Sequence, residues 1–417
     1  MHKPVEIPQN PPSGLRVLSL FDGMSGGQQA LQRLGVAVNQ YFASEIDKAA
    51  MFITQKNFPN TVQLGSVLNV TAAQLPPIDL LLGGSPCQSF SFCGKRKGMA
   101  TSCEMEVTSL AQYLELKAEG YEFEGQSYLF WEFVRLLQEV KPTYFLLENV
   151  QMGHKWENVL SRALGVSPVK INSALVSAQS RNRLYWTNIA ERPDGLFGFP
   201  KSTIAQPADR LIFLKDVLEP NVSEKYYLSQ QRVNTMLKSS RAVPYVDANT
   251  PKFQCLLAAY SKHPTSGQYV QAGALRFGRS EAGKAKRKAT GNNGFQDKEF
   301  HRVDFLKMNT LLSSSRTDNL VVQINPSVKS NQAQPFQQNR IYDPQGKSSA
   351  LLADLGSRAH NILEKSQIRR LTPTECERLQ TVADGYTEGV SDNQRYKMLG
   401  NGWTIDVIAH LLSYAPF

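Results

Sequence analysis

Four short stretches hold reactive or ligand-binding side chains at intervals that suit a site built on strand ends. In Gly83-Gly84-Ser85-Pro86-Cys87-Gln88-Ser89, a cysteine follows the apolar run 78–82 and a Gly-Gly-Ser-Pro turn. A thiol there is placed for nucleophilic attack, and Lys95, Arg96 and Lys97 downstream would lower its pKa and reach phosphates. The alternative for Cys87 is a small buried hydrophobe. Glu148 closes another apolar run in Phe145-Leu146-Leu147-Glu148-Asn149-Val150, either as a solvated surface carboxylate or as a group sharing an edge with Cys87. Arg181 and Arg183 enter a further run, 184–189, two residues apart and so on one side of a strand, suited to gripping a base edge or phosphate. The last stretch, Leu20-Phe21-Asp22-Gly23-Met24-Ser25-Gly26-Gly27, is a glycine-rich turn at the end of the run 17–21. Glu45 ends the next run, 41–44, where a doubly wound fold places a carboxylate on ribose hydroxyls. The glycines do not follow G-x-G-x-x-G, so an adenosine ligand without phosphates fits better than a dinucleotide.

These groups converge only if the runs are strands ending on one edge. The pattern predicts strands at 17–21, 41–44, 78–82, 144–147 and 184–189. It predicts helices at 28–34, ended by Gly35, and at 129–137, on the spacing of Leu129, Phe133, Leu136 and Leu137. Alternation of this kind implies an α/β fold with a doubly wound, mostly parallel sheet. From 201 to 364 short runs alternate with Gly, Asn, Ser and Pro clusters, implying a smaller, irregular, β-rich domain. Thr372-Pro373-Thr374-Glu375 then reads as a helix start. A last helix, 404–412, carries Ile405, Ile408, Ala409 and Leu412 on one face and is expected to dock back on the first domain. The organisation expected is a tail 1–14, a catalytic and cofactor-binding domain 15–195, a basic domain 196–384 and a returning segment 385–417. The acidic stretch 104–124 reads as a solvent-facing helical insertion.

Charge separates the two parts sharply. The 417 residues carry a formal +10, and 201–364 alone hold 23 Lys and Arg against 13 Asp and Glu. That segment therefore accounts for the whole excess and reads either as a polyanion-binding module in a neutral body or as a solvated, lysine-rich surface. A composition of 41% hydrophobic and 20% charged residues excludes a disordered tail. Without a long apolar run, and with a polar, proline-rich beginning, neither a membrane span nor a secretory signal is expected. Five cysteines without zinc-ligand spacing imply no metal and a reducing, cytoplasmic setting.

Taken together, the motifs resemble those of the DNA (cytosine-5)-methyltransferases, with a catalytic part most similar to the animal de novo enzymes and their bacterial and phage relatives. The resemblance rests on the Phe21-x-Gly23 turn, Ser44-Glu45-Ile46, Ser85-Pro86-Cys87-Gln88, Glu148-Asn149-Val150 and Gln179-x-Arg181-x-Arg183, in family order. It continues in Arg370-Leu371-Thr372-Pro373-x-Glu375-Cys376, Arg378-Leu379-Gln380 and Gly400-Asn401-Gly402-Trp403. It covers about 15–190 and 365–415, leaving 201–364 where the family carries its variable target-recognition region.

The resemblance implies the sheet of the S-adenosylmethionine-dependent methyltransferases and methyl transfer to cytosine carbon 5 in double-stranded DNA. Cys87 would add to carbon 6 of a flipped base, Glu148 would hold N3 and the exocyclic amine, Arg183 the carbonyl oxygen, and Arg181 would support the loop or base. S-adenosylmethionine would lie against Phe21, Asp22, Gly23, Met24 and Gly26, with Glu45 and Ile46 at its ribose and adenine. Ser66 and Val67 would touch the adenine, and Asn401 and Trp403 would close the pocket. Ser66 stands where the family usually has Asp, so the adenine contact is expected to be weaker by about 1 kcal/mol. Gln88, Ser89 and Lys95 to Lys97 are expected at the DNA. So are Arg276, Arg279, Lys284, Lys286, Arg287 and Lys288, with Arg340 a further candidate for base readout. A cognate restriction endonuclease is admitted as a partner, and monomeric action follows from recognition and catalysis sharing one chain. Three rivals fit less well. A transfer-RNA methyltransferase of this scaffold would carry Cys-Phe-Thr, an inert DNA-binding protein would not need Cys87, Glu148 and Arg183 together, and an adenine amino-methyltransferase needs a different tetrapeptide at Ser85-Pro86-Cys87-Gln88.

Overall fold

The computed structural model describes residues 14–86, 99–194, 198–229, 245–246, 250–260, 262, 268–271, 274–279, 298–303 and 368–417. Two compact units make up the chain. One takes in Met1–Phe213, Gln254–Ala258 and Cys376–Phe417, the other Leu214–Phe253 and Ala259–Glu375.

In the first unit, β1 (Leu15–Leu20), β2 (Val38–Ser44), β3 (Val62–Gln63), β4 (Leu80–Gly84), β5 (Tyr144–Val150), β6 (Val169–Asn172) and β7 (Asn182–Thr187) form one sheet ordered 3-2-1-4-5-7-6. All pairings are parallel except those of β7, which runs antiparallel to both β5 and β6. The sheet is thus doubly wound and mostly parallel, as the strand–helix alternation implies. Strand order reverses between β1 and β4, so the crevice that accepts ligands lies beyond their carboxyl ends. Val17, Leu18 and Leu20 in β1 and Leu80, Leu81 and Leu82 in β4 are fully buried, as expected for strands covered on both faces.

The helices are α1 (Gly26–Arg33), α2 (Lys48–Asn57), α3 (Leu110–Ala118), α4 (Phe130–Val140) and α5 (His154–Leu164). Buried Phe130, Phe133, Val134 and Leu136 form the inner face of α4. Phe133 lies so close to the sheet that a Cβ on Gly83 would sit 2.7 Å from its ring. Two strands differ from the sequence reading in a way that matters. The Asp79 carboxylate accepts from the Arg16 amide and guanidinium, and its backbone bonds Arg16 and Tyr144 at the entry to β4, which runs from Leu80 through both glycines, with Gly84 opposite Glu148. Asn182 and Arg183 lie within β7 rather than before it, with Val150 opposite Arg183.

The acidic stretch 104–124 is only half as expected. It does contain a helix, α3, but Tyr113 and Leu116 are buried, and the Tyr113 ring packs 5.0 Å from Phe123, which stacks on Tyr128 at 4.8 Å. The segment is therefore part of the core on one side. Glu132 of α4 is fully buried beneath it and accepts from the Tyr113 hydroxyl (2.5 Å), Lys117 (2.6 Å) and Arg135 (2.7 Å). Burial alone would push the Glu132 carboxyl up, but these donors outweigh it and hold it below the usual carboxylate range.

One short pair of strands, β8 (Glu191–Arg192) with β9 (Lys201–Ser202), completes the sheet structure of this unit among the described residues. In the second unit, after α6 (Leu214–Val217), β10 (Tyr245–Val246), β11 (Tyr269–Gln271) and β14 (Ile368–Arg369) form a three-stranded sheet. An antiparallel pair, β12 (Ala274–Arg279) and β13 (Lys298–Val303), lies apart from it. Helix α7 (Pro373–Leu379) starts as the sequence predicts: Thr372 and Glu375 exchange backbone and side-chain bonds, and buried Arg369 pairs with Glu375 at 2.7 Å. The chain ends in the first unit with α8 (Asp392–Asn401) and α9 (Ile405–Leu412). The apolar stripe of α9 packs against α1. Among the described residues no helix is long and apolar enough to cross a membrane.

Replacing Glu132 by alanine should lower the unfolding free energy by about 3 kcal/mol, because Arg135 and Lys117 are left without their buried anion while Arg135 keeps Glu139. A carboxyl held low stabilises the fold above its unfolded pKa and loses that effect as pH falls through its folded value. The gap between wild type and variant in urea unfolding should therefore shrink below roughly pH 4.

Candidate active site at the carboxyl edge of the sheet

The turn after β1 is held in an unusual backbone shape. Phe21, Gly23 and Ser25 all have φ near +60°, a region that costs free energy for the two non-glycine residues. Glu45, just past β2, stabilises it. Its carboxylate accepts from the amides of Gly23 (2.8 Å), Ile46 (2.7 Å) and Asp47 (2.8 Å), locking the two strand ends together. Asp22 is buried within the turn and accepts from the Tyr41 hydroxyl at 2.8 Å. Burial pushes its carboxyl up to about 6. Met24 is also buried, and its carbonyl accepts from Tyr386 and Gln29. Beside these, Ile46 is 68% exposed, between Glu45 and the Asp47 that caps α2. Ser66 caps a short turn, Val67–Asn69, in which Val67 is buried.

The second half of the site lies at the ends of β4, β5 and β7. Asn149, almost fully buried, donates to the hydroxyl (3.0 Å) and carbonyl (3.3 Å) of Ser85 and so fixes the backbone two residues before Cys87. Glu148 is opposite Gly84 in the register, and its two oxygens have different partners. Arg183 Nε is 2.9 Å from Oε1, and the Trp403 indole N–H donates to Oε2 at 3.1 Å. A carboxylate so placed offers its remaining lone pairs to a donor-rich, planar ligand edge.

Arg181 has a different surrounding. Its buried guanidinium donates to the carbonyls of Leu256, Gly400 and Gly402, and lies 3.3 Å from Cys255 Sγ. Gln179 donates to Leu379 O and to the Gln380 side chain, while Gln380 donates to Leu399 O and accepts from Thr404. Three motifs far apart in sequence thus form one hydrogen-bonded cluster. Gly400 is part of it by close approach: a Cβ there would sit 2.3 Å from the Ala258 nitrogen. Asn401 ends α8 exposed to solvent.

The structure therefore brings together Phe21, Asp22, Gly23, Met24, Gly26, Glu45 and Ile46 on one side and Glu148, Arg181, Arg183 and Trp403 on the other. Cys87, Gln88, Ser89, Lys95, Arg96 and Lys97 lie outside the described residues, as do Lys284, Lys286, Arg287, Lys288 and Arg340. Arg276 and Arg279 are on β12. Sequence reasoning missed Cys255, which lies 3.7 Å from Arg183. Burial alone would push its thiol up, but the charges of Arg181 and Arg183 outweigh that and hold it below the ordinary value. No local pattern marks residues 254–258, because their partners are two distant arginines. Among the described residues no group of three or more potential ligands could hold a metal.

The chain is similar to known proteins along almost its whole length. The family model of the C-5 cytosine-specific DNA methylases matches residues 15–414. An orphan methyltransferase, M.SPRI of Bacillus phage SPR, is 27% identical over 94% of this chain and 95% of its own. The type II methyltransferase M.HgiCI of Herpetosiphon aurantiacus is 26% identical over 94% and 96%. Among solved structures, the Entamoeba histolytica methyltransferase EhMeth shares the fold with a TM-score of 0.56 at 15% identity, covering 97% of this chain and 98% of that one. Spodoptera frugiperda DNMT2, as a triple mutant, gives 0.54 at 17% identity over 96% and 99%.

The buried Asp22 yields a pH dependence. Because its folded pKa is raised, the folded state holds its proton more tightly, and stability falls as pH rises from about 4 to about 6. Asp22→Asn keeps an acceptor for Tyr41 and removes the cost. In thermal unfolding the variant should match or exceed wild type at pH 7, by up to roughly 2–3 kcal/mol, with the advantage gone near pH 4.

Proposed function

The chain belongs to the C-5 cytosine-specific DNA methylase family, and from that premise we propose that it methylates carbon 5 of a cytosine flipped out of a specific duplex sequence, through a covalent adduct on Cys87. The observation that carries this reading is the Glu148 carboxylate, held between Arg183 and Trp403 beside the Ser85-Pro86 segment that leads to Cys87. A flipped cytosine presents N3 and an exocyclic amine on one edge, the donor pair that suits such a carboxylate once N3 is protonated.

The chemistry follows from the weakness of carbon 5 as a nucleophile. The Cys87 thiolate adds to carbon 6, and the displaced electron pair makes carbon 5 enamine-like. Glu148 stabilises the adduct at N3 and the amine, while Arg183 holds the carbonyl oxygen at position 2. Carbon 5 takes the methyl group, a base removes the carbon-5 proton, and the electron pair released expels the thiolate. Arg181 acts on this reaction by holding the segments around Leu256 and Gly402.

S-adenosylmethionine, when bound, supplies the methyl group on a positively charged sulfur. The residues present suit it. Among the described residues Glu45 Oε2 accepts from the Gly23 amide alone, which leaves a lone pair for a ribose hydroxyl, and exposed Ile46 offers apolar surface for an adenine. Phe21, Gly23, Met24 and Gly26 would line its methionine part, Ser66 and Val67 its adenine, and Asn401 and Trp403 the far wall. The Ser66 hydroxyl is a neutral acceptor already engaged with the Leu68 amide, which keeps its adenine contact weak. The net positive charge of 201–364 supports duplex binding by that segment, and one chain carries both recognition and catalysis.

Cys87→Ala should abolish methyl transfer while duplex affinity stays within about threefold, since the thiol supplies the nucleophile and little binding energy. Residual turnover would point to another nucleophile. Bisulfite sequencing of DNA from expressing cells reads the modified base and its sequence together. Neutralising Lys284, Lys286, Arg287 and Lys288 should weaken binding to all duplexes alike and flatten its salt dependence, by roughly 0.9 in the log–log slope for each phosphate that is no longer neutralised.

A further inference from the structure

Two glycines make room for one indole, and a third lies just before it in the chain. A Cβ on Gly84 would sit 2.8 Å from Trp403 Nε1 and 3.3 Å from Glu148 Oε2, so the strand end must be bare for the bond between them to form. A Cβ on Gly26 would sit 3.3 Å from the other side of the same ring, at Cε3. A Cβ on Gly402 would meet the Met24 methyl at 3.0 Å. The ring therefore spans from the first turn of α1 to the Glu148 carboxylate. Its backbone is pinned on both sides, since Gly402 N donates to Met398 O, Gly402 O accepts from Arg181, and Thr404 bonds Gln380.

The consequence is for the carboxylate. With Arg183 as its only partner, Glu148 is free to turn about its terminal torsion or to engage the guanidinium with both oxygens. Either motion withdraws the edge that a base must meet. An indole N–H is a donor only, carries no charge, and cannot exchange roles with its acceptor. Fixed on Oε2, it sets the plane of the carboxylate without competing for the charge of Arg183. We propose that Trp403 is a positioning residue for base activation, holding Glu148 in the orientation in which it meets the flipped cytosine. This goes beyond a role as pocket wall, and it rests on the reading of Glu148 and Cys87 given above.

The test separates the two roles by leaving the cofactor out. In its absence the Cys87 adduct still forms and reverses, and carbon 5 takes up a solvent proton and loses its own before the thiolate leaves. Release of tritium from duplex DNA labelled at cytosine carbon 5 thus reads base activation alone. Trp403→Phe keeps an aromatic ring, smaller than the indole, and removes the donor. It should slow both tritium release and methyl transfer about tenfold, the usual scale for losing a hydrogen bond to a charged group, while the dissociation constant for S-adenosylhomocysteine and the KM for DNA change less than about threefold. Gly84→Ala, which displaces the indole nitrogen and leaves Trp403 in the chain, should show the same split and serves if Trp403→Phe does not fold. Unchanged tritium release with weakened S-adenosylhomocysteine binding would reduce Trp403 to a pocket wall and overturn the proposal. No tritium release by the wild-type protein, given intact duplex binding, would instead overturn the underlying assignment of Cys87 and Glu148.

Discussion

One buried guanidinium holds the site in register. Arg181, immediately before β7, donates to the carbonyls of Leu256, Gly400 and Gly402, of which Gly402 O also accepts from Gln380 and Leu256 O from the Cys255 thiol. Hydrogen bonds from a charged donor contribute about 1.5–3 kcal/mol each, so the guanidinium favours this arrangement of distant segments. Gln179 and Gln380 add a second clasp a few residues away. Trp403 reaches Glu148 only because the backbone before it is fixed in this manner. Lysine at position 181 would supply charge without the fork that reaches three carbonyls at once.

The direction of β7 is the second constraint. In an all-parallel sheet the carboxyl edge receives only residues from the carboxyl ends of strands. β7 runs the other way, so its opening residues lie beside the closing residues of β5. That is why Arg183, near the beginning of its strand, stands next to Glu148, near the end of its own. A guanidinium and a carboxylate are then 2.9 Å apart without any loop having to carry either. Side chains on strands keep their geometry better than side chains on loops, which is what a reaction depending on ring orientation requires.

Much of this is legible in the sequence because it is local. The alternation of apolar runs with helical spacing gives the class of sheet, and the residues at the ends of those runs are the ones the structure gathers. What is not legible is non-local. The glycines at 83 and 84 look like a turn, yet they are strand residues whose missing side chains admit Phe133 on one face and Trp403 on the other. The acidic stretch looks like a solvated insertion because its glutamates outnumber its core residues, and only the structure shows Tyr113 and Phe123 closing over Glu132. The Trp403 bond to Glu148 spans 255 positions and has no sequence signature at all.

Cys255 shows how far such non-local contacts alter chemistry. Its neighbours in sequence, Gln254 and Leu256, give it no charge, and a half-buried thiol in apolar surroundings is ordinarily inert. Arg181, just before β7, and Arg183, within it, reverse that by favouring the thiolate. The same two positive charges are available to Glu148 and, in the proposed reaction, to the oxygen of the base. A thiolate at Cys255 therefore draws on the field that the carboxylate uses, and its negative charge lowers the net positive potential at the β5–β7 edge. The Cys255 thiol thus lies beside Arg181 and Arg183 and holds its proton less tightly than an ordinary cysteine. Under the proposed mechanism, loss of activity on alkylation assigns the nucleophile to Cys87 only in a variant in which Cys255 and the exposed Cys103 are both replaced by serine.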